Sequence, residues 1–294
     1  MTDGFLNLLK PPGMTSSDAV VMVRRLLPRG AKVGHMGTLD PEACGVLPIG
    51  IGAATRLFDY VSDKKKTYRA ELCVGLATDT QDATGKVIAH GRGVTADEVK
   101  SVLPRFIGQI EQTPSIYSAI KVDGKKLYQA ARAGEEIEVP TRTVEIGGID
   151  FIAQIGENRF LLDVFCGRGT YIRTLCSDIG KALGTQAHMS FLLRRQSGIF
   201  DAESAVTPEE VLAAAQEGEL PLLALDAPLK HYPAVTLGEN MERIVRSGTP
   251  IHTAKWKNPP AEGTLLRVYL GERFAGMGQM QNGDIRFKCM LLRP

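Results

Sequence analysis

The chain has 294 residues, 44% of them apolar and 23% charged, with a net charge of +2. That balance describes a soluble globular protein of one large domain, or one domain with a small appendage, and no apolar run approaches the roughly 18 residues a membrane helix needs. Five cysteines, odd in number, widely spaced and without a Cys-x-x-Cys pair, argue against a disulfide framework or a zinc site and for a reducing cytoplasm, and Met1-Thr2-Asp3-Gly4 lacks the basic-then-apolar pattern of a signal peptide.

Charge is divided along the chain. Residues 1–196 carry 25 Lys and Arg against 21 Asp and Glu, residues 197–232 carry 1 against 7, and residues 233–294 carry 9 against 5. Two mildly basic bodies are thus joined by an acidic segment, an arrangement compatible with a polyanionic partner.

Phe5 to Leu9 reads as a strand, and the turn Lys10-Pro11-Pro12-Gly13 leads to a helix capped by Ser16 or Ser17 and ended by Pro28 and Gly30. Lys10 has three readings: a phosphate contact, a brace for a neighbouring loop, or a solvated surface lysine. Next comes Gly34-His35-Met36-Gly37-Thr38-Leu39-Asp40-Pro41, too rich in Gly and Pro for a helix interior, followed by the apolar run Gly45 to Gly50, a short buried strand. The proline after Asp40 biases it toward an extended or turn geometry. Asp40 is therefore either a fixed nucleophile or base on a loop entering the core, or a turn residue capping its own backbone.

Ala53 to Val61 predicts a helix, and Lys66 to Gly75 a strand. Tyr68, beside a three-lysine run, either stacks on a nucleobase or belongs to the core. Asp79 to Lys86 is a polar turn without the spacing of a calcium loop. Thr95 to Arg105 predicts a helix with a Thr95/Glu98 capping box, and Gly108 to Thr113 a strand. Asp123-Gly124 is a hairpin or turn signal, and Lys125 to Gly134 a short basic helix. Tyr117, Lys121, Lys125, Lys126 and Arg132 interleave aromatic and basic side chains, as an RNA-contacting surface or a plain solvated face does.

Thr143 to Ile155 and Phe160 to Cys166 predict paired strands around Gly156-Glu157-Asn158. Gly167 and Gly169 mark a strand-to-helix turn, after which Ile172, Leu175, Cys176, Ile179 and Leu183 recur at helical spacing. Tyr171 and Arg173 fall in the first turn, off that apolar stripe, where a rigid scaffold suits catalytic groups; the alternative for Arg173 is a surface arginine. Leu192 to Arg195 closes the first body. A helix at Pro208 to Gln216 lies in the acidic segment, and the last 60 or so residues read as a small β-rich module with a helix near Glu239 to Arg246.

Six elements taken together resemble the TruB family of tRNA pseudouridine synthases over essentially the whole chain: Lys10 to Asp18, Gly34 to Pro41, Lys66-Thr67-Tyr68, Gln112 to Lys121, Gly169 to Arg173, and Leu193-Arg194-Arg195. Met36 departs from the small or hydroxylated residue usual there. The resemblance implies an α+β fold: a pseudouridine-synthase core of mixed, largely antiparallel sheet with flanking helices over residues 1–232, a thumb loop at about 114–136, and a small β-barrel PUA-like domain over 233–294. It implies isomerisation of uridine 55 in the TΨC loop of tRNA to pseudouridine, with a tRNA-folding role as a companion or rival reading. The substrate partner would be the T arm of tRNA, with no metal, cofactor, membrane or obligate protein partner. Carried over by motif, Asp40, Arg173 and Tyr68 would be catalytic. His35 would serve base flipping, Tyr171 and Leu193 would wall the pocket, and Lys10 and Lys121 would support substrate binding. A ribosomal-RNA synthase of the same superfamily is the remaining alternative, disfavoured by the Gly34 to Asp40 motif and the C-terminal module.

Overall fold

The structure, a computed structural model, describes residues 3–61, 65–117, 121–122, 125–126 and 139–292. Its backbone is one large mixed sheet. Strand β1 (Gly4–Lys10) runs antiparallel to β3 (Cys44–Ile51), which the short β2 (Val33–His35) also joins. Beyond a 3-10 turn at Gly52–Leu57 come β4 (Lys66–Val74), the hairpin β5–β6 (Leu76–Thr78, Val87–His90) and β7 (Gly108–Gln112). The segment from Ala53 to Val61, predicted as a helix, is this short 3-10 segment and the turn after it. β8 (Lys121–Val122) pairs antiparallel with β9 (Lys125–Lys126), as the Asp123-Gly124 signal predicts, so the basic helix expected over Lys125 to Gly134 does not begin at Lys125; the rest of that stretch falls outside the described residues.

The long hairpin β10–β11 (Arg142–Gly156, Arg159–Cys166) turns at Asn158, whose φ of 57° is left-handed, a conformation Asn tolerates better than most residues. β12 (Ala187–Ser197) then inserts between β3 and β4, and its short pairing with β3 is parallel in an otherwise antiparallel neighbourhood. Among the described residues the order is β14-β1-β3-β12-β4-β11-β10-β7, where β14 is Leu222–Leu223, and β13 (Phe200–Asp201) attaches to β12. The mixed, largely antiparallel sheet with flanking helices is the α+β class expected.

Period-2 alternation assigns the two faces of this sheet. Leu6 and Leu8, Leu47 and Ile49, Ala70 and Leu72, and Phe160, Leu162 and Val164 face one way. They form the main core with α1 (Ser16–Arg25), α2 (Ala96–Val102) and α3 (Ile172–Ala182). Thr15, rather than Ser16 or Ser17, caps α1, in a capping box with Asp18; Thr95 caps α2 with Glu98, and Thr207 caps the helix at Pro208–Gln216 with Glu210.

From Ala234 onward a second sheet, order β15-β17-β18-β19-β16, spans Ala234–Leu237, Leu265–Leu270, Arg273–Gln281, Asp284–Met290 and Ile251–His252. It curls as a half-barrel around Leu266, Val268, Leu270, Ala275, Met280 and Ile285. This sheet does not stand apart. Met277 and Cys289 pack into one buried cluster with Phe5, Val46, Leu57 and Phe200 on the opposite face of the large sheet, and the Cys289 thiol lies 3.6 Å from the Arg56 carbonyl.

Candidate active site

The loop from Gly37 to Ala43 is held from three directions. The Ser16 hydroxyl, at the first position of α1, accepts the Leu39 N–H at 2.9 Å and donates to the Leu39 carbonyl at 3.1 Å. Lys10 is fully buried, and its ammonium donates to the carbonyls of Pro11 (2.8 Å), Met14 (2.6 Å) and Pro41 (2.9 Å), using all three of its donors. Lys10 is thus the brace among its three readings. Burial pushes its pKa down, partly opposed by Cys44, Glu42 and Asp40. From the third side Arg194, also fully buried, donates to the carbonyls of Val46 (2.6 Å), Gly37 (3.1 Å) and Thr38 (3.4 Å). The residues on both sides of Asp40 are therefore anchored, and its carboxylate does not cap its own backbone.

That carboxylate meets Arg173. The guanidinium Nε lies 3.0 Å from Asp40 Oδ2 and its Nη2 3.4 Å from Oδ1. Nη1 turns to Asp82 Oδ2 (3.3 Å) and the Thr80 carbonyl (3.3 Å), and Nη2 also reaches the Tyr117 carbonyl (3.4 Å). Arg173 is buried, not the surface arginine of the alternative reading, because the first turn of α3 is enclosed on all sides. Tyr171 is the residue before that helix. Its N–H and C=O are both bonded by the buried side-chain amide of Gln112 at the end of β7, at 3.0 and 3.3 Å. Asp82 is itself fixed by the hydroxyls of Thr80 (2.7 Å) and Thr84 (2.6 Å).

Burial pushes the Asp40 carboxyl above its ordinary pKa; Arg173 and Lys10 pull it down, and Asp82 adds to the rise. Burial likewise raises the Tyr68 hydroxyl, with Arg194 opposing.

Asp40, Arg173, Tyr68 and Tyr171 line one cavity of about 350 Å³ together with Lys66 and Leu192. Tyr68 belongs to the main core and also lines the cavity. Leu192, rather than Leu193, is the apolar wall: neighbours on a strand point to opposite faces, and Leu192 shares the face of the cavity. His35 lies elsewhere, in an adjoining cavity of about 440 Å³, and burial and Arg194 hold its imidazole below the usual pKa, which favours the neutral ring. The side chain of Lys121 falls outside the described residues.

Asp82, Gln112, Ser16, Leu192 and the role of Arg194 escaped the sequence reading. Gln112 and Arg194 lay within motifs already noticed. Asp82 sat in a stretch that reads as an ordinary polar turn, and nothing in its spacing ties it to a residue 91 positions away. Together these groups present an anchored carboxylate, gripped by a buried arginine, at the wall of a pocket with aromatic and apolar sides. Such a site suits nucleophilic or base chemistry on a planar, uncharged group.

Comparison with known proteins agrees along the length of the chain. The profile of the TruB family pseudouridylate synthase N-terminal domain matches residues 24–172. That of the tRNA pseudouridylate synthase B C-terminal domain matches 173–230, and that of the pseudouridine synthase II TruB C-terminal domain matches 233–291. The chain is 46% identical over 286 residues to the tRNA pseudouridine synthase B of Alkaliphilus oremlandii, covering 96% of this chain and 94% of the relative. To that of Heliobacterium modesticaldum it is 41% identical, over 98% and 94%, and to that of an Azoarcus species 44%, over 99% and 95%. Among solved structures, an H/ACA RNP bound to a substrate RNA containing 2′-deoxyuridine matches with a TM-score of 0.72 at 24% identity, over 98% of this chain and 85% of that one, a likeness of fold. The chain belongs to the TruB family of pseudouridine synthases.

Proposed function

We propose that this chain converts uridine 55 in the TΨC loop of tRNA to pseudouridine, with Asp40 as the group that acts on the sugar–base linkage. The observation that carries the reading is the two-point contact of Arg173 with Asp40 at the wall of the Tyr68 cavity. Support for tRNA as substrate comes from the relatives, which bear the name tRNA pseudouridine synthase B.

A uridine stacked in an RNA loop is out of reach of a pocket of this kind, so the target nucleotide is extruded into it. The ring of Tyr68 and the side chain of Leu192 supply the walls for the base. Asp40, aimed by Arg173, attacks the nucleoside or removes a ribose proton as its carboxylate. The N1–C1′ bond breaks, the base turns, and C5 bonds to C1′. The proton on C5 is lost to solvent and N1 gains one, so atoms balance and nothing is oxidised. No cofactor is called for by that balance.

Residues 1–232 form the catalytic part of this proposal and residues 233–294 a PUA-like RNA-binding part. The thumb of about 114–136 that would hold the T arm falls mostly outside the described residues.

The test uses the C5 proton. Wild-type protein incubated with tRNA tritiated at uridine C5 releases tritium to water, and the modified residue maps to position 55. Release with the product at another position refutes the site assignment, and absence of release refutes the isomerase.

A further inference from the structure

Lys66 borders two cavities at once. With Thr38 it lines both the pocket of Asp40 and the adjoining space of about 440 Å³ that also contains His35, Phe58 and Arg168. Among the described residues its ammonium makes no hydrogen bond or ion pair. The charged groups around it are Arg194 and Arg168, both positive, and its other neighbour is the Cys166 thiol, which burial pushes up to about 11 and so keeps uncharged. Lys66 Nζ and Arg194 Nη1 lie 3.7 and 3.8 Å from the point where a Cβ on Gly37 would stand, so the two cations flank one spot. Burial and these like charges push the Lys66 pKa down to about 8. Cations grouped this closely without a carboxylate are unfavourable unless an anion joins them.

The second cavity also has an aromatic wall. Gly34 and Gly50 pair across strands β2 and β3, and the Phe58 ring lies on both. A Cβ at Gly34 would sit 3.3 Å from the ring, and one at Gly50 would collide with it. Any other residue at Gly50 would displace this ring. A half-buried aromatic wall next to an unmatched cation, in a cavity that adjoins the one of Asp40, is the combination that binds single-stranded RNA: a π-face for a base and a positive charge for its phosphate.

We propose that this second cavity receives the base of the nucleotide adjacent to the target uridine, and that Lys66 binds the phosphodiester joining the two. Two consecutive nucleotides then occupy the two cavities, with the charged linkage crossing at Lys66 and Arg168 at the outer rim. The inference rests on the isomerase reading above and adds to it a second base site and a specific phosphate.

The experiment uses a T-arm stem-loop carrying a single uncharged methylphosphonate, placed either 5′ or 3′ of the target uridine. In the wild type one of the two placements lowers kcat/KM for tritium release by about tenfold, the scale of one hydrogen bond to a charged group. Lys66→Met lowers it by a similar factor on unmodified RNA and loses nothing further at that same placement, while Lys66→Arg keeps the sensitivity. Where release by a variant is too slow, the same cycle is read in Kd. Removing the adjacent base on that side and Phe58→Ala are non-multiplicative in the same way. Losses that multiply at both placements, or a wild type indifferent to both, overturn the proposal. A wild type that releases no tritium from unmodified RNA instead overturns the isomerase reading on which it rests.

Discussion

Arg173 and Asp40 form an ion pair of unequal burial: the arginine side chain is 7% exposed and the carboxylate 37%. The cation is therefore part of the scaffold, and the acid is the end that reaches the cavity. Arg173 also serves Asp82, so one guanidinium is shared between two carboxylates. The sharing explains why Arg173 alone does not outweigh the burial of Asp40, whose pKa stays raised.

Replacing Asp40 by Asn keeps the volume of the side chain and an acceptor for Arg173, and removes the negative charge. If the carboxylate performs the chemistry, tritium release falls by roughly 10⁴-fold or more while RNA affinity stays within about threefold. Release at near-normal rate by the Asn variant would remove Asp40 from the mechanism.

The second carboxylate makes a separate prediction about pH. If ionised Asp40 performs the chemistry, the rate falls as pH drops through its pKa, and because that pKa is raised the acid limb of kcat/KM lies above the ordinary aspartate range. Asp82 is one cause of the rise. In Asp82→Asn the limb moves to lower pH, since a nearby negative charge is gone and Arg173 is left to Asp40. At pH 7 kcat drops by roughly 10²-fold, as Arg173 loses the contact that sets its orientation. A limb that stays in place, or moves up, contradicts the shared-arginine account.

Strands β1, β3, β4, β7, β10 and β11 and the helices α1, α2, α3 and Pro208–Gln216 were legible because each rests on local pattern: alternation in β4 and β11, a capping box at Thr95, an apolar stripe in α3. The central strand β12 was not read as a strand, and the largely antiparallel sheet came only through the family resemblance. Asp40, Arg173 and Tyr68 were legible through motifs, and the fold brings them to one cavity. The residues that hold them were not. Ser16 looked like a helix cap, yet its hydroxyl is committed to Leu39, 23 residues away, and Thr15 does the capping. Leu193 was chosen over Leu192 because the motif pointed to it, whereas strand phase decides which of two neighbours faces inward. Arg194, charged and fully buried, violates every composition-level expectation for its residue type, and only the tertiary fold supplies the carbonyls that satisfy it.

Lys10 provides a prediction that separates its alternatives. Lys10→Met leaves the carbonyls of Pro11, Met14 and Pro41 without their shared donor in a buried place, which costs about 3 kcal/mol of stability and slackens the loop next to Asp40. Urea unfolding and tritium release should therefore decline together. Unchanged stability with weakened RNA binding would instead mark Lys10 as a phosphate contact.

Gly45 is the position where the loop and the sheet depend on each other most directly. It begins the buried part of β3, with Lys10 opposite on one side and Arg194 opposite on the other. Its φ of 110° is a region that residues with a Cβ rarely adopt, and a Cβ there would collide with the Arg194 carbonyl and stand 2.7 Å from its N. Gly45→Ala therefore forces β12 away from β3 and carries Arg194 with it, loosening the bonds to Gly37 and Thr38 that shape the loop before Asp40. The expected loss is about 3 kcal/mol in urea unfolding, from backbone strain and a displaced strand together. Activity should fall further than stability alone explains when both are measured well below the unfolding transition, because the displaced side chain supports the catalytic loop. A variant within about 0.5 kcal/mol of wild type, the range of ordinary surface changes, would mean that the two strands separate freely and that Arg194 does not depend on this close approach.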